Sequence, residues 1–170
     1  MSELAPIAAF SRTELDVIRQ MLVRGINAPI TSSAGRLFDT FAALMGLRQI
    51  CAYEGQAAIE LEGAAGDRAT GRRYRLPIRQ GDDTTTLVVD WEPALGEALA
   101  DLRAGVPSAQ ISEALHDGLA MAIADVAVRA GERTVALTGG CFQNAAHRER
   151  GRSVTCRGSR RRLASACSAQ

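Results

Sequence analysis

Apolar side chains near the start of the chain recur every three or four residues, the spacing of one face of a helix. They are Leu15, Ile18, Met21 and Leu22. Ser11 and Glu14 precede them in a capping-box pattern, in which each side chain bonds the backbone amide of the other residue. Gly25 follows, where a helix-ending glycine is expected. The pattern therefore predicts a helix between Ser11 and Gly25.

Four later segments also have helical patterns. They cover residues 34–44, 54–63, 93–102 and 108–130. The hydroxyl side chains of Thr31, Ser32 and Ser33 precede the first of these helices, where they are expected to cap it. Pro107 stands just before the last helix and Gly131 just after it, in the usual order of helix-starting proline and helix-ending glycine. A glycine-spaced linker is predicted at 63–67.

After this linker the apolar period shortens to two residues, which is typical of strands. Tyr74, Leu76 and Ile78 alternate with polar residues ahead of a turn-like run at 81–83, and Leu87–Val89 follows, so a β-hairpin is predicted. The run 134–138 is short, apolar and rich in β-branched residues, which predicts a buried strand. The expected fold class is α/β with mixed helices and short strands, mostly helical, with a small β-hairpin and one core strand.

The composition is that of a globular protein with a substantial core. The chain has 170 residues, of which 46% are hydrophobic and 23% charged, so it can bury a core without disulfides or metals. It has no apolar run near the roughly 18 residues that a membrane-spanning helix requires, and its first residues lack a signal-peptide pattern. The four cysteines show no CxxC spacing. These features favour a reduced cytoplasmic protein that does not enter the membrane.

The charge of the chain is divided unevenly. All 20 basic residues are arginine, and the formal net charge is +1. Residues 1–144 carry a net −5, whereas 145–170 carry seven arginines against one acidic residue, Glu149. This tail has neither aromatic residues for base stacking nor a helical basic face, so a solvated, unpacked extension is favoured over a nucleic-acid site.

Two segments have the residue types of a nucleotide site. Gly139 and Gly140 follow the predicted strand and would let a ligand approach the backbone, and Asn144 can hydrogen-bond a base or ribose. The other segment is 31–39, where hydroxyl side chains at a helix N-terminus suit a phosphate and Gly35 leaves space for it. Asp39 lies one turn further along the helix and can accept hydrogen bonds from ribose hydroxyls. On these residues alone, ordinary turn geometry and an ordinary helix cap are favoured over a ligand site.

The remaining reactive side chains do not form a catalytic set. His116 lies in an amphipathic helix beside Asp117, where a single histidine is usually packed or on the surface. Cys141 has no histidine placed by the sequence to activate it, so a small buried residue is favoured over a nucleophile. Two isolated histidines, His116 and His147, build no metal site.

Taken together, three motifs resemble the hydrogenase maturation carbamoyltransferase family HypF. They are NAPITSSAGRLFD at 27–39, YEGQAA at 53–58 and LTGGCFQN at 137–144. Their order and spacing are similar to those of the family over residues 5–144, and His116 falls where members also tend to have histidine. The resemblance implies a partial domain of the actin and sugar-kinase-like ATPase superfamily over 1–144, followed by an anomalous tail over 145–170.

The resemblance also implies a site and a reaction. Gly35 and Asp39 match positions that hold nucleotide or acyl-adenylate, and Gly139, Gly140 and Asn144 match the adenosine-binding segment. Carbamoyl phosphate and ATP would yield a carbamoyl-adenylate, whose carbamoyl group passes to the C-terminal cysteine of the partner protein HypE. The product is the precursor of the cyanide ligands of nickel-iron hydrogenase.

Two departures from the family pattern are expected to reduce the activity of this chain. The divalent-metal ligands of the full-length family, histidines upstream and a later Asp-Gly-Gly segment, are absent from this chain. The arginine-rich stretch from Arg148 resembles translation in another frame, so a truncated, frame-shifted fragment with little activity alone is expected. Two other functions remain open: a catalytically incomplete nucleotide-binding or interaction module, and a relative that carbamoylates a small molecule.

Overall fold

The computed structural model describes residues 4–65, 71–83 and 85–131, together with the backbone of two short strands at 134–136 and 162–164. The chain divides into two compact units, residues 1–61 and 62–170. The first unit holds three helices and most of a fourth. Their bounds are α1 Ala5–Ala8, α2 Arg12–Arg24, α3 Ala34–Leu44 and α4 Gln56–Ala64.

The predicted start and end of α2 are confirmed. The Ser11 side chain accepts a hydrogen bond from the Glu14 amide at 3.3 Å, and the Glu14 carboxylate accepts one from the Ser11 amide at 2.8 Å. These bonds lower the pKa of Glu14. Gly25 ends the helix with a φ of +65°, a conformation that glycine adopts without steric cost. The local signals therefore determine both ends of this helix.

The helix α3 has the predicted bounds but not the predicted cap. Ser33 is its N-cap residue and makes no side-chain capping bond. Instead the Thr31 hydroxyl accepts a hydrogen bond from the Ser33 amide at 3.1 Å, which stabilises the turn before the helix. The expectation that the hydroxyl groups cap α3 directly is wrong for Ser33, because its side chain does not bond the first-turn amides.

The core of the first unit is small. Its buried apolar side chains are Phe38, Phe41, Ala42, Ala57 and Leu61. Beside them, Arg48 makes two hydrogen bonds to the Glu60 carboxylate, one of them at 2.9 Å from Nε, and these bonds lower the pKa of Glu60. Gln56 adds a bond of 3.1 Å to the same carboxylate. The pairing joins the segment after α3 to α4.

The second unit contains the predicted hairpin and two helices. Strands β1, Ile78–Gln80, and β2, Leu87–Val89, pair antiparallel with Ile78 opposite Val89. Asp83 closes the turn by accepting bonds from the backbone and hydroxyls of Thr85 and Thr86, which together lower the pKa of Asp83 to about 2. Helices α5, Glu92–Arg103, and α6, Ser108–Arg129, follow within one or two residues of their predicted bounds.

The hairpin begins later than its alternating pattern predicts. Tyr74 and Leu76 are buried, as the pattern requires, but the strand starts only at Ile78. The reason is that the Tyr74 amide donates to the Ala114 carbonyl of α6 at 3.0 Å rather than to a neighbouring strand. At Gly118 the same helix comes so close that an added Cβ would lie 2.5 Å from the Tyr74 carbonyl oxygen. This segment therefore packs directly on α6.

A polar network anchors the same segment. Arg72 donates to both carboxylate oxygens of Asp101, and the Tyr74 hydroxyl donates to one of them, all at 2.8 Å. Burial raises the pKa of Tyr74, and the bond to Asp101 raises it further. Burial opposes ionisation of Asp101, but the bonds from Arg72 and Tyr74 outweigh it and lower its pKa. The network ties the start of the hairpin segment to α5.

Two short strands complete the described part of the chain. Strand β3, Thr134–Ala136, pairs in parallel with β4, Arg162–Ala164, with Val135 opposite Leu163. The strand β3 was predicted from its apolar run, whereas β4 lies in the arginine-rich tail and was not predicted. The other tail residues lie outside the described part of the chain. Among the described residues, no helix is both long and apolar enough to cross a membrane.

Candidate functional site

The first candidate site lies at the N-terminus of α3. The first amides of a helix have no carbonyl partner within that helix, and its dipole favours an anion there. Thr31, Ser32 and Ser33 lead into this end and are exposed to solvent. This part of the chain therefore combines backbone donors and hydroxyl groups at a surface that a phosphate can reach.

Gly35 stands in the first turn of α3, at a position that requires no glycine on backbone grounds. Its φ lies in the ordinary negative range, and an added Cβ would meet only the Ser33 hydroxyl, at 3.4 Å. That distance is an ordinary van der Waals contact, so packing within the described chain tolerates a side chain here. The glycine is consistent with space kept for a ligand outside the helix.

Asp39 lies one turn beyond Gly35 on the same face of α3. Its side chain is 32% exposed, and its carboxylate forms an ion pair of 2.9 Å with Arg36. The Arg36 side chain is 66% exposed and can move aside at little cost, because a solvent-exposed pair of this kind contributes little stability. Asp39 can therefore accept hydrogen bonds from a ligand that reaches this face.

The second half of the predicted site lies outside the described residues. This holds for Gly139, Gly140 and Asn144, and also for Cys141. The strand that leads toward them is described, and β3 ends at Ala136. The assignment of these three residues to the adenosine side of a nucleotide site therefore stays a prediction.

His116 belongs to a buried polar group on α6. Its side chain is fully buried, and its Nδ1 lies 2.7 Å from the Ser112 carbonyl oxygen and 3.3 Å from the Ser112 hydroxyl. Because a carbonyl only accepts, Nδ1 carries a proton in that bond, and in the neutral ring the lone pair is on Nε2. Of the two placements expected for a single helical histidine, packed or on the surface, the structure shows the packed one.

Glu113 is buried on the same helix, three residues before His116. Neither Glu113 nor Ser112 was predicted from the sequence as a functional residue, although their spacing from His116 places all three near one another on α6. No group of three or more His, Cys, Asp or Glu side chains that could hold a metal ion occurs in the described part of the chain.

Comparison with known families gives one match across nearly the whole chain. The family model described as "Carbamoyltransferase, Kae1-like Domain, second subdomain" matches residues 1–160. The matched range includes all the described helices and the β-hairpin, and it extends into the arginine-rich tail that begins at residue 145.

Curated relatives agree with this match. The chain is 44% identical over 151 residues to carbamoyltransferase HypF of Rhodobacter capsulatus, which covers 85% of this chain and 18% of the relative. It is 39% identical over 127 residues to carbamoyltransferase HypF of a Synechocystis species, covering 75% of this chain and 16% of the relative. The chain thus spans less than a fifth of the length of these two proteins.

Solved structures show the same similarity in three dimensions. A full-length HypF crystallised in a phosphate- and nucleotide-bound form superposes on 94% of this chain with a TM-score of 0.81 and 30% identity. HypF from T. kodakarensis superposes on 95% of the chain with a TM-score of 0.74 and 25% identity. The chain covers 21% and 20% of those two structures.

Proposed function

Because this chain belongs to the carbamoyltransferase HypF family, we propose that it forms part of a carbamoyl-transfer site that binds ATP and its carbamoyl-adenylate product. The proposed overall reaction uses carbamoyl phosphate and ATP, and the carbamoyl acceptor is the C-terminal cysteine of HypE. The product is the precursor of the cyanide ligands in nickel-iron hydrogenase maturation. A reaction that consumes these metabolites is expected in the cytoplasm.

One observation carries the proposal. The chain superposes on nearly its whole length, with a TM-score of 0.81, on a HypF structure that holds phosphate and nucleotide. The described site has groups that suit such ligands, namely a helix N-terminus with hydroxyl side chains before it and a partly exposed carboxylate one turn later. The similarity and the local chemistry support the same class of ligand.

The N-terminus of α3 is the proposed phosphate side of the site. Backbone amides pointing out of a helix end bind a phosphate through hydrogen bonds and the favourable helix dipole. The hydroxyls of Thr31 and Ser32 are exposed next to this end and can donate to phosphate oxygens. Gly35 would let the phosphate approach the helix backbone without meeting a side chain.

Asp39 is the proposed ribose contact. A carboxylate accepts hydrogen bonds from vicinal hydroxyls, and a bond to a charged acceptor contributes about 1.5–3 kcal/mol when it is shielded from water. In the proposal, Arg36 moves from Asp39 toward the phosphate when nucleotide binds. Gly139, Gly140 and Asn144 are assigned to the adenosine side by resemblance.

The proposed chemical step transfers the carbamoyl group from AMP to the acceptor thiolate. The thiolate of the acceptor cysteine attacks the carbamoyl carbon, the bond from that carbon to the adenylate oxygen breaks, and AMP leaves. The residues of this chain would hold the reactive mixed anhydride in position and shield it from water.

The proposal is tested by titrating the full 170-residue chain with ATP in a calorimeter. We expect saturable binding that Asp39→Ala weakens about tenfold, the loss expected from one charge-assisted hydrogen bond. Asp16→Ala is the matched control, because Asp16 is an exposed aspartate in the middle of α2 and should not alter the titration. Asn144→Ala should also weaken binding.

Two results would contradict this assignment. The first is an ATP titration of Asp39→Ala that coincides with that of the wild-type chain. The second is an equal loss of affinity in Asp39→Ala and Asp16→Ala, since it would show a general effect of removed negative charge. The far-ultraviolet circular dichroism of each variant shows whether its fold is unchanged.

A further inference from the structure

Arg36 stands between the two ends of the proposed nucleotide contact on α3. It lies two residues after Ala34, where the helix begins, and three residues before Asp39. At a rise of 1.5 Å per residue, Ala34 and Asp39 are about 7.5 Å apart along the helix axis, which is close to the length of a ribose 5′-phosphate. Arg36 is the only basic residue between Arg24 and Arg48. It is therefore the one cation that this stretch of sequence offers to a ligand.

The backbone of Arg36 is held on both sides, whereas its side chain has a single partner that it can exchange. The Arg36 amide donates to the Ser33 carbonyl at 3.2 Å, and its carbonyl accepts a hydrogen bond from the Thr40 hydroxyl at 2.8 Å. The guanidinium forms an ion pair of 2.9 Å with the Asp39 carboxylate. Side chains on a helix lean toward its N-terminus, so the same guanidinium can reach a phosphate at the first amides without any change in the backbone.

We propose that Arg36 makes the site selective for phosphorylated nucleosides over nucleosides. A ligand with both ribose and phosphate lets the guanidinium exchange the Asp39 carboxylate for a phosphate, so the carboxylate is released for the ribose hydroxyls while Arg36 keeps an anionic partner. A nucleoside must break the same ion pair and offers Arg36 no anion in return. The inference rests on the proposed function and deepens it, because it assigns the class of ligand to one residue.

The two halves of this exchange differ in strength. An arginine–carboxylate pair within one helix, three residues apart, is weak, so breaking it costs a nucleoside about a twofold loss of affinity. A guanidinium can donate two parallel hydrogen bonds to a phosphate, and such charge-assisted bonds are roughly twice as strong as neutral ones. We expect the loss of this phosphate contact to weaken binding about tenfold. The selectivity therefore comes mainly from the phosphate contact.

The test compares ATP with adenosine in calorimetric titrations of the full 170-residue chain. We expect the wild-type chain to bind ATP at least about tenfold more tightly than adenosine. Arg36→Ala should weaken ATP binding about tenfold but leave adenosine binding unchanged or up to about twofold tighter, since Asp39 is then free for the ribose. A general loss of structure would instead weaken the binding of both ligands.

Two further variants serve as controls. Arg36→Lys keeps a positive charge that can bind phosphate, so it should retain most of the preference for ATP. Arg19→Ala removes the same charge from α2 and should leave both affinities unchanged. Alanine and lysine both favour helix, so the variants should keep their folds, which circular dichroism verifies.

Three results would overturn the inference. One is equal affinity of the wild-type chain for ATP and adenosine. Another is a parallel loss of both affinities in Arg36→Ala, and the third is the same loss of ATP affinity in Arg19→Ala. If Asp39→Ala weakens ATP binding while Arg36→Ala leaves the preference for ATP unchanged, the inference fails and the nucleotide proposal stands. If the wild-type chain binds neither ligand, both fail.

Discussion

Replacing Gly118 by alanine tests how closely the Tyr74 segment packs on α6. The new Cβ would lie 2.5 Å from the Tyr74 carbonyl oxygen and 3.4 Å from the Tyr74 amide nitrogen. Real Cβ atoms essentially never come within 3.0 Å of another heavy atom of this kind, so the two backbones must separate by at least about half an ångström. Tyr74 cannot move freely, because its amide bonds Ala114 and its buried hydroxyl bonds Asp101.

The size of the effect follows from three contributions. Forcing an extra methyl into a packed contact costs about 1–3 kcal/mol. Weakening the Tyr74 to Ala114 hydrogen bond costs about a further 1 kcal/mol. Alanine is preferred over glycine inside a helix by about 1 kcal/mol, which offsets part of that loss. We therefore expect Gly118→Ala to lower the free energy of unfolding by about 2 kcal/mol, equivalent to a fall in Tm of about 4–8 °C.

Urea unfolding followed by tryptophan fluorescence measures this change. The single tryptophan, Trp91, lies in the same unit as Gly118, so its signal reports the unfolding of that unit. Gly96→Ala is the matched control, because Gly96 is an exposed glycine inside α5 with nothing within 4 Å of an added Cβ. It should stabilise the unit by about 0.5–1 kcal/mol. Equal stabilisation by both substitutions would refute the close packing of Tyr74 on α6.

Three further predictions follow from single contacts. Gly35→Ala should leave the free energy of unfolding unchanged or slightly higher but weaken ATP binding, and calorimetry that shows unchanged affinity would contradict the assigned phosphate side. Asp83→Ala should destabilise the protein at pH 6 but not at pH 2, because the Asp83 carboxylate, with its pKa of about 2, loses its stabilising charge as pH falls from about 4; urea unfolding at both values measures this. Since burial and the bond to Asp101 raise the pKa of Tyr74, the free energy of unfolding should fall as pH rises above about 10, and Tyr74→Phe should remove that dependence.

The elements with strong local signals were predicted closely. Helix α2 begins and ends where its capping box and Gly25 place it, and α6 follows Pro107 and ends next to Gly131. The predicted hairpin is confirmed, with a turn rich in polar residues between the run that ends in β1 and the apolar run Leu87–Val89. Each of these signals depends on residues close to it in the sequence, so its effect does not depend on how the rest of the chain packs.

The candidate site was predicted by resemblance more than by local chemistry. Gly35 and Asp39 alone are compatible with an ordinary helix start, and it was their place within three ordered motifs that indicated a nucleotide site. The structure brings these two residues to one face of α3, and it adds that Gly35 is not required by backbone or packing. The parts of the site that depend on Gly139, Gly140 and Asn144 stay predictions.

The sequence by itself determined the five longer helices, the hairpin and the family, and it predicted the candidate residues, because each depends on short-range pattern or motif order. Only the tertiary structure decided which groups meet over long separations. Arg72 and Asp101 are 29 residues apart, Arg129 bonds the Ile78 carbonyl across 51 residues, and β3 pairs with a strand in the tail. Such contacts form only when several packed elements bring their backbones together, and no local pattern encodes that arrangement.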